Sequence, residues 1–150
     1  VVEWFYDKAI NSDRRELFHV LWSGNGENLT ELLSDLLFDT ISYHDYAESF
    51  YHAFVTGLVS SAGYIVESNY ENGIGRSDIV IKDRRNRRAA VIEIKIAAAE
   101  DKMEKECQDA LKQIEEKQYA RKIERSGFRK VISYGVTFCK KECLVKTIDE

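Results

Sequence analysis

The stretch GRSDIVIKDRRNRRAAVIEIKIA, residues 75–97, decides the fold of this chain. It contains two runs rich in Val and Ile, separated by a polar turn in which four of the five residues at 84, 85, 86, 87 and 88 are arginine. Apolar β-branched runs that flank a polar turn are typical of two antiparallel strands joined as a hairpin. The sequence therefore predicts strands over residues 77–83 and 89–97.

The simplest pairing of this hairpin places two carboxylates opposite each other. Side chains alternate between the faces of a strand, and a turn centred between Arg85 and Asn86 pairs Asp78 with Glu93 on one face. Their Cβ atoms would lie about 4.5–5.5 Å apart, and like charges that face each other across a ladder are destabilising. A divalent cation held by both carboxylates would offset the repulsion, because Mg²⁺ binds one or two carboxylates together with waters and substrate phosphate. Lys95 shares that face, where it could stabilise a developing anion.

In the rest of the chain, the spacing of apolar residues alternates between that of helices and that of strands. In residues 42–64 the apolar side chains recur at the spacing of an amphipathic helix, which Gly63 would end. The other predicted elements are helices over 12–22, 28–38, 100–118 and 119–124, and strands over 64–70, 130–138 and 143–149. Three successive strands with short connections predict an antiparallel meander, and the helix after the third strand allows a parallel crossover to the fourth. The predicted fold class is α/β.

Length and composition fit one globular domain. The chain has 150 residues, of which 44% are hydrophobic and 32% are charged. The apolar runs are too short to span a membrane and no signal segment is visible, so we expect a cytoplasmic protein that does not contact membranes. Because the chain begins at Val1 without an initiator Met, we interpret it as a piece of a longer protein.

The charge distribution is uneven. The net charge is -4, with acidic side chains predominating in residues 1–75 and basic ones in residues 76–150. The basic half could bind a phosphate backbone, although a solvated charged surface is the simpler explanation of the charge alone. The arginines of the hairpin turn lie at the far end from Asp78, and we interpret them as solvated or facing a partner.

Several short motifs, each weak alone, occur together in one order. They combine a helical glutamate with three strings of polar residues: Glu48, GRSD with Asp78, EIK with Glu93 and Lys95, and QIEEKQY with Gln113. In this order they resemble the PD-(D/E)XK nuclease superfamily. The resemblance is closest to the nuclease-like domain found C-terminal to an AAA-ATPase-like domain in many prokaryotic proteins, and it covers about residues 43–148.

This resemblance implies a fold and a division of the chain. The family core is restriction-endonuclease-like, αβββαβ, with a mixed central sheet flanked by helices. That order agrees with the order of elements read from the periodicity. Residues 42–150 would form the nuclease-like domain, and residues 1–41 would form an N-terminal helical extension.

The resemblance also implies a metal site. Asp78 and Glu93 would bind Mg²⁺ or Mn²⁺, with Glu48 as an accessory acid and third ligand. Lys95 would assist the attacking water or the scissile phosphate. Gln113 would match the glutamine found on the helix after the catalytic strand. A Glu-x-Lys on an exposed strand face is common, however, and so is a Glu at the border of an apolar helix stripe.

Two further side chains would contact the substrate. Arg76 could bind a phosphate, and an exposed turn arginine is the simpler alternative. Tyr119 resembles the tyrosine that follows this glutamine in the family, although the five residues between Gln113 and Tyr119 exceed the usual gap.

Two functions of different classes follow. The first is metal-assisted hydrolysis of phosphodiester bonds in nucleic acid, with DNA as the expected substrate. Its partners would be that nucleic acid and an ATPase-like domain of the same chain outside this fragment, and a homodimer is left open. The second is a catalytically silent module that binds nucleic acid or a protein partner for a larger ATPase. We favour the nuclease, because a silent module has no reason to keep two repelling carboxylates.

Overall fold

The computed structural model describes residues 14–40, 48–60, 64–71 and 76–148. The helices are α1 (Arg14–Ser23), α2 (Gly26–Thr40), α3 (Glu48–Val59), α4 (Met103–Glu116) and α5 (Tyr119–Arg125), with a 3₁₀ turn at Glu100–Lys102. The strands are β1 (Ile65–Glu71), β2 (Arg76–Asp83), β3 (Arg88–Ile96), β4 (Lys130–Cys139) and β5 (Glu142–Thr147). No helix in these ranges is long and apolar enough to cross a membrane.

Most predicted elements are confirmed, with ends that differ by a few residues. The predicted helix over 42–64 corresponds to α3, and its residues 42–47 and 61–63, Gly63 included, lie outside the described residues. The single helix predicted from Glu100 to about Gln118 is confirmed over Met103–Glu116, and its two ends differ. It starts with the 3₁₀ turn, and it stops at Glu116 because Gln118 has a left-handed backbone, with φ of 55°.

The strands form one mixed sheet in the order β1-β2-β3-β4-β5. The first three pair antiparallel, as their short connections predict. β4 pairs parallel to β3, because α4 and α5 carry the chain back across the sheet between them. β5 then returns antiparallel to β4. This confirms the predicted α/β fold, with its mixed central sheet flanked by helices and its restriction-endonuclease-like order of elements.

The turn between β2 and β3 is held by one carboxylate. Asp83 accepts hydrogen bonds from the Asn86 side chain and from Arg88 Nε, each at 2.8 Å. Arg87 closes the turn with a φ of 52°. These contacts set the hairpin register, and the register is the predicted one.

The central strands of the sheet are buried on both faces, and their alternate residues contribute to different cores. Isoleucines of β2 and β3 pack with α1, α2 and α3 in the larger cluster, among them Ile79, Ile81, Ile92 and Ile94. The intervening residues of the same strands pack with α4 and α5 on the other face: Val80, Ala89 and Val91, against Ile114 and Ile123. Strands covered on both faces read as almost continuous apolar runs, which is how residues 79–81 and 89–92 read in the sequence.

Helix α2 covers the edge of the sheet at β5. Thr30 Oγ1 accepts a hydrogen bond from Val145 N at 2.8 Å, and Ser34 Oγ donates to the Cys143 carbonyl at 3.3 Å. An edge strand leaves backbone groups unpaired, and these contacts satisfy part of that edge. The division of the chain into an extension over 1–41 and a domain over 42–150 stays a prediction.

Candidate active site

Asp78 and Glu93 are direct partners across the β2–β3 ladder, as the hairpin symmetry predicts. Both side chains are buried, with exposed fractions of 3% for Asp78 and 0% for Glu93. Two carboxylates held this close and away from water repel each other strongly. The fold therefore has to provide them with donors and positive charge.

The Asp78 carboxylate is held from two sides. Asn69, its cross-strand partner on β1, donates from Nδ2 to Asp78 Oδ1 at 2.9 Å. The Tyr119 hydroxyl, at the start of α5, donates to Asp78 Oδ2 at 2.9 Å. Hydrogen bonds to an ionised acceptor are stronger than bonds between neutral groups, so these two donors fix the orientation of the carboxylate.

Glu93 and Lys95 are linked through Gln113 of α4. With its amide oriented by its hydrogen-bond partners, Gln113 donates from its side-chain nitrogen to Glu93 Oε1 at 2.9 Å. Its side-chain oxygen accepts from Lys95 Nζ at 3.1 Å. One amide thus holds a carboxylate and an ammonium side by side.

A second lysine lies between the two carboxylates. Lys117 Nζ is 3.7 Å from Asp78 Oδ2 and 3.8 Å from Glu93 Oε1. Lys117 follows the last residue of α4, one helical turn after Gln113, so both side chains reach the same site. The ammonium supplies positive charge where the sequence predicts a cation.

His52 of α3 contacts β1 on the sheet face opposite the carboxylates, because its partner Ser68 pairs with Ile79, which packs against α1–α3. Its Nε2 lies 2.7 Å from Ser68 Oγ. Burial lowers the pKa of His52 below its ordinary value of 6.5, and the charge of Asp78 opposes that shift.

Close packing of α4 on β4 brings these groups together. Gly135 of β4 is the neighbour of Glu93 in the sheet. A Cβ on Gly135 would lie 2.5 Å from the Cys107 carbonyl oxygen of α4, closer than a Cβ approaches another heavy atom. The absence of a side chain there lets α4 lie against the sheet, with Gln113 and Lys117 above the carboxylates.

Five of the residues predicted for the site come together in the structure: Asp78, Glu93, Lys95, Gln113 and Tyr119. The long gap before Tyr119 is explained by the break between α4 and α5. Gln118 turns the chain there, and Tyr119 begins a new helix whose first side chain points back to Asp78. Glu48 and Arg76 are the first residues of α3 and β2, and their side chains lie outside the described residues.

Sequence reasoning missed Asn69 and Lys117. Lys117 had a usable signal, since it is four residues after Gln113 on the same helix face. Asn69 required the β1–β2 register, which the sequence alone did not define. The arginines at 84, 85 and 87 are exposed in the turn, about five residues or 17 Å along the strand from Asp78. Arg88 instead pairs with Asp83 and stacks over Trp22 at 4.5 Å.

The donor set fits a hard divalent cation. Among the described residues no group of three or more His, Cys, Asp and Glu side chains is placed to hold a metal. The Asp78–Glu93 pair supplies two carboxylates, which is the usual protein share of a Mg²⁺ shell that keeps several waters and binds substrate phosphate. Whether Glu48 adds a third ligand stays a prediction.

A family model of the PD-(D/E)XK nuclease superfamily matches residues 46–148. The chain belongs to the PD-(D/E)XK nuclease superfamily. The match spans all the described strands together with α4 and α5, and so includes every contact of the candidate site. Comparisons with curated proteins and with solved structures found no match.

Membership of the PD-(D/E)XK superfamily gives the site a chemical context. Its members are generally nucleases that hydrolyse phosphodiester bonds with divalent metal ions, which implies a nucleic-acid substrate. The assignment of Asp78 in GRSD, and of Glu93 and Lys95 in EIK, to the acidic and basic positions that name the superfamily stays a prediction.

Proposed function

We propose that this chain is a Mg²⁺- or Mn²⁺-dependent nuclease domain that hydrolyses phosphodiester bonds in DNA. The observation that carries the proposal is the buried, directly opposed pair of carboxylates, Asp78 and Glu93, beside the Lys95 ammonium. Burial of two like charges destabilises a fold. Binding of a divalent cation would offset that cost and give the two buried carboxylates a function.

The acidic side chains would hold the metal. Asp78 and Glu93 would be ligands, and Glu48 would be an accessory ligand from α3. A divalent ion bound there supplies Lewis acidity toward the phosphate and lowers the pKa of a water. Asn69 and Tyr119 would keep Asp78 in one orientation, so that binding requires little rearrangement.

The other polar side chains would act on the substrate. Gln113 keeps Lys95 beside Glu93, so the ammonium would face the attacking water or the scissile phosphate. A fixed positive charge there stabilises the negative charge that develops on the phosphate oxygens. Arg76 would bind a neighbouring phosphate, and Tyr119 would contact the substrate as well as Asp78.

The wider context of the domain is also part of the proposal. By its resemblance to ATPase-associated nuclease-like domains, the domain over residues 42–150 would work in the cytoplasm beside an ATPase-like domain of the same protein. Residues 1–41 would be a helical extension, and a homodimer is left open.

One observation favours a second function, that of a catalytically silent module that binds nucleic acid or a partner. Lys117 already provides a positive charge to both carboxylates. If that ammonium stayed in place permanently, it would replace the metal and the chain would bind without cleaving. Metal binding by the isolated protein separates the two functions.

A cleavage assay tests the proposal. Supercoiled plasmid and labelled single-stranded DNA would be incubated with the protein and Mg²⁺ or Mn²⁺, with and without a chelator. We expect metal-dependent cleavage that Asp78→Asn and Glu93→Gln abolish. Lys95→Ala should remove turnover and leave metal binding largely intact, because Lys95 is not a metal ligand.

Matched controls are available on exposed positions. Asp101→Asn and Glu115→Gln make the same chemical changes at exposed side chains before and within α4. Both should cleave like the wild type. Undiminished cleavage by Asp78→Asn in a clean preparation would refute the assignment of this site.

A further inference from the structure

Lys117 holds a position that the motif of the family does not assign. Its Nζ is nearly equidistant from the two carboxylates, 3.7 Å from Asp78 and 3.8 Å from Glu93. Its side chain remains 24% exposed, whereas the two acids beneath it are buried. The ammonium therefore closes the solvent side of the carboxylate pair.

The chain places Lys117 there through a specific local geometry. Lys117 is the C-cap of α4, and its backbone N–H donates to the Gln113 carbonyl. Gln118 then has a left-handed backbone, which is uncommon for a residue with a Cβ. The junction directs Lys117 and Tyr119 toward the same oxygen, Asp78 Oδ2.

The contact is a charge interaction without hydrogen bonds. Both N–O distances exceed the 2.7–3.2 Å range of N–H···O bonds. A lysine ammonium is a compact charge on a flexible four-carbon stem, so it can leave without disturbing the backbone. Asp78 Oδ2 keeps its bond from Tyr119 when Lys117 moves, and Glu93 keeps its bond from Gln113.

Lys117 supplies one positive charge against the two carboxylates, and the other ammonium nearby, that of Lys95, is held beside Glu93 by Gln113. A divalent cation in the same place would neutralise the whole pair, but it would then repel the ammonium beside it. Two cations about 4 Å apart repel each other strongly where water screens them little, so the metal and the ammonium compete for the same place.

We propose that Lys117 is the resident counter-ion of the Asp78–Glu93 pair and is displaced when a divalent metal binds. In the metal-free protein it stabilises the fold by reducing the repulsion between the two carboxylates. On metal binding its side chain moves out toward solvent, and the metal affinity is reduced by the ion pairs that have to break. This proposal rests on the proposed function, because it assumes that the pair binds a metal.

The test is a titration of the protein with Mn²⁺ alone, in the absence of nucleic acid, measured by isothermal titration calorimetry. For Lys117→Gln we expect the dissociation constant for Mn²⁺ to fall about tenfold, which corresponds to about 1.4 kcal/mol. The melting temperature of the metal-free variant should fall by several degrees. Lys112→Gln is the matched control on α4, since that lysine is 73% exposed and does not contact the pair. It should change neither quantity.

The outcomes separate this proposal from the proposed function. A Lys117→Gln variant that binds Mn²⁺ no more tightly than the wild type overturns the counter-ion role. If the wild type binds no Mn²⁺ at all, the proposed function fails, and the metal-free melting temperatures still decide whether Lys117 neutralises the pair.

A double variant protects the test against misfolding. If Lys117→Gln is too unstable to purify, Lys117→Gln combined with Asp78→Asn should restore the fold, because the second change removes one of the repelling charges. A double variant that is no more stable than Lys117→Gln would show that Lys117 stabilises the protein in some other way, and would overturn the proposal.

Discussion

Gly135 lies beside Glu93 in the sheet, and the space left by its missing side chain is taken by the Cys107 carbonyl of α4. The residue that contributes no side chain therefore controls how closely the helix with Gln113 and Lys117 approaches the carboxylates. The packing of α4 on the sheet therefore also assembles the site.

Gly135→Ala should destabilise the protein. The added Cβ would be 2.5 Å from backbone, which cannot yield as the end of a side chain can, and 3.1 Å from Leu111 Cγ. Overpacking of this kind costs about 1–3 kcal/mol. Urea denaturation followed by circular dichroism measures the loss. An unchanged midpoint would show that α4 can move away at little cost, and the close approach would then not matter for the site.

Tyr119→Phe should lower the stability of the metal-free protein by about 1.5 kcal/mol, because it removes a 2.9 Å hydrogen bond to a buried carboxylate. Tyr64→Phe is the comparison. It removes a longer bond between neutral groups, in which Trp22 Nε1 donates to the Tyr64 hydroxyl at 3.3 Å, and should cost about 0.5–1 kcal/mol. Equal losses in the two variants would mean that the bond from Tyr119 to Asp78 is no stronger than one between neutral groups.

Gln113→Ala should reduce DNA cleavage with little loss of stability. The variant removes the link between Glu93 and Lys95, so the ammonium is no longer held beside the carboxylates. Because the side chain is half-buried and lies off the main apolar stripe, we expect the melting temperature to change little. Gln108→Ala, an exposed change on the same helix, should cleave normally. A normal cleavage rate for Gln113→Ala as well would show that Gln113 takes no part in the reaction.

Asp83 should make the fold sensitive to acid at the hairpin turn. Burial by itself would raise the pKa of Asp83. Hydrogen bonds from Asn86 and Arg88, together with the positive charge of Arg88, outweigh burial and hold the pKa below its ordinary value of 3.8. The stabilisation is therefore complete above that ordinary value and is lost as the pH falls through the pKa of the folded state.

Comparison with Asp83→Asn measures this effect. The variant cannot ionise, so the difference in unfolding free energy between wild type and variant should shrink as the pH falls from about 6 to about 2. A difference that stays constant over this range would mean that the charge of Asp83 contributes no stability.

The hairpin shows how far sequence patterns reach. Strand side chains alternate faces strictly, and a tight turn aligns both strands, so the pairing of Asp78 with Glu93 followed from two local rules. The same rules placed Lys95 beside them. The end of α4 was less accessible, because nothing in QIEEKQY shows that Gln118 takes a left-handed backbone.

The sequence by itself determined the order of helices and strands, the register of the central hairpin and the acids that meet across it, since these depend on periodicity and on residues close along the chain. Only the tertiary structure decided what neutralises those acids. Asn69, Gln113, Lys117 and Tyr119 arrive from β1 and from the two crossover helices. The position of Asn69 depends on the register of β1. The positions of the other three depend on the distance and the rotation at which α4 and α5 pack on the sheet. That depends on contacts such as Gly135 with Cys107, between residues far apart in the chain whose fit is set by three-dimensional packing.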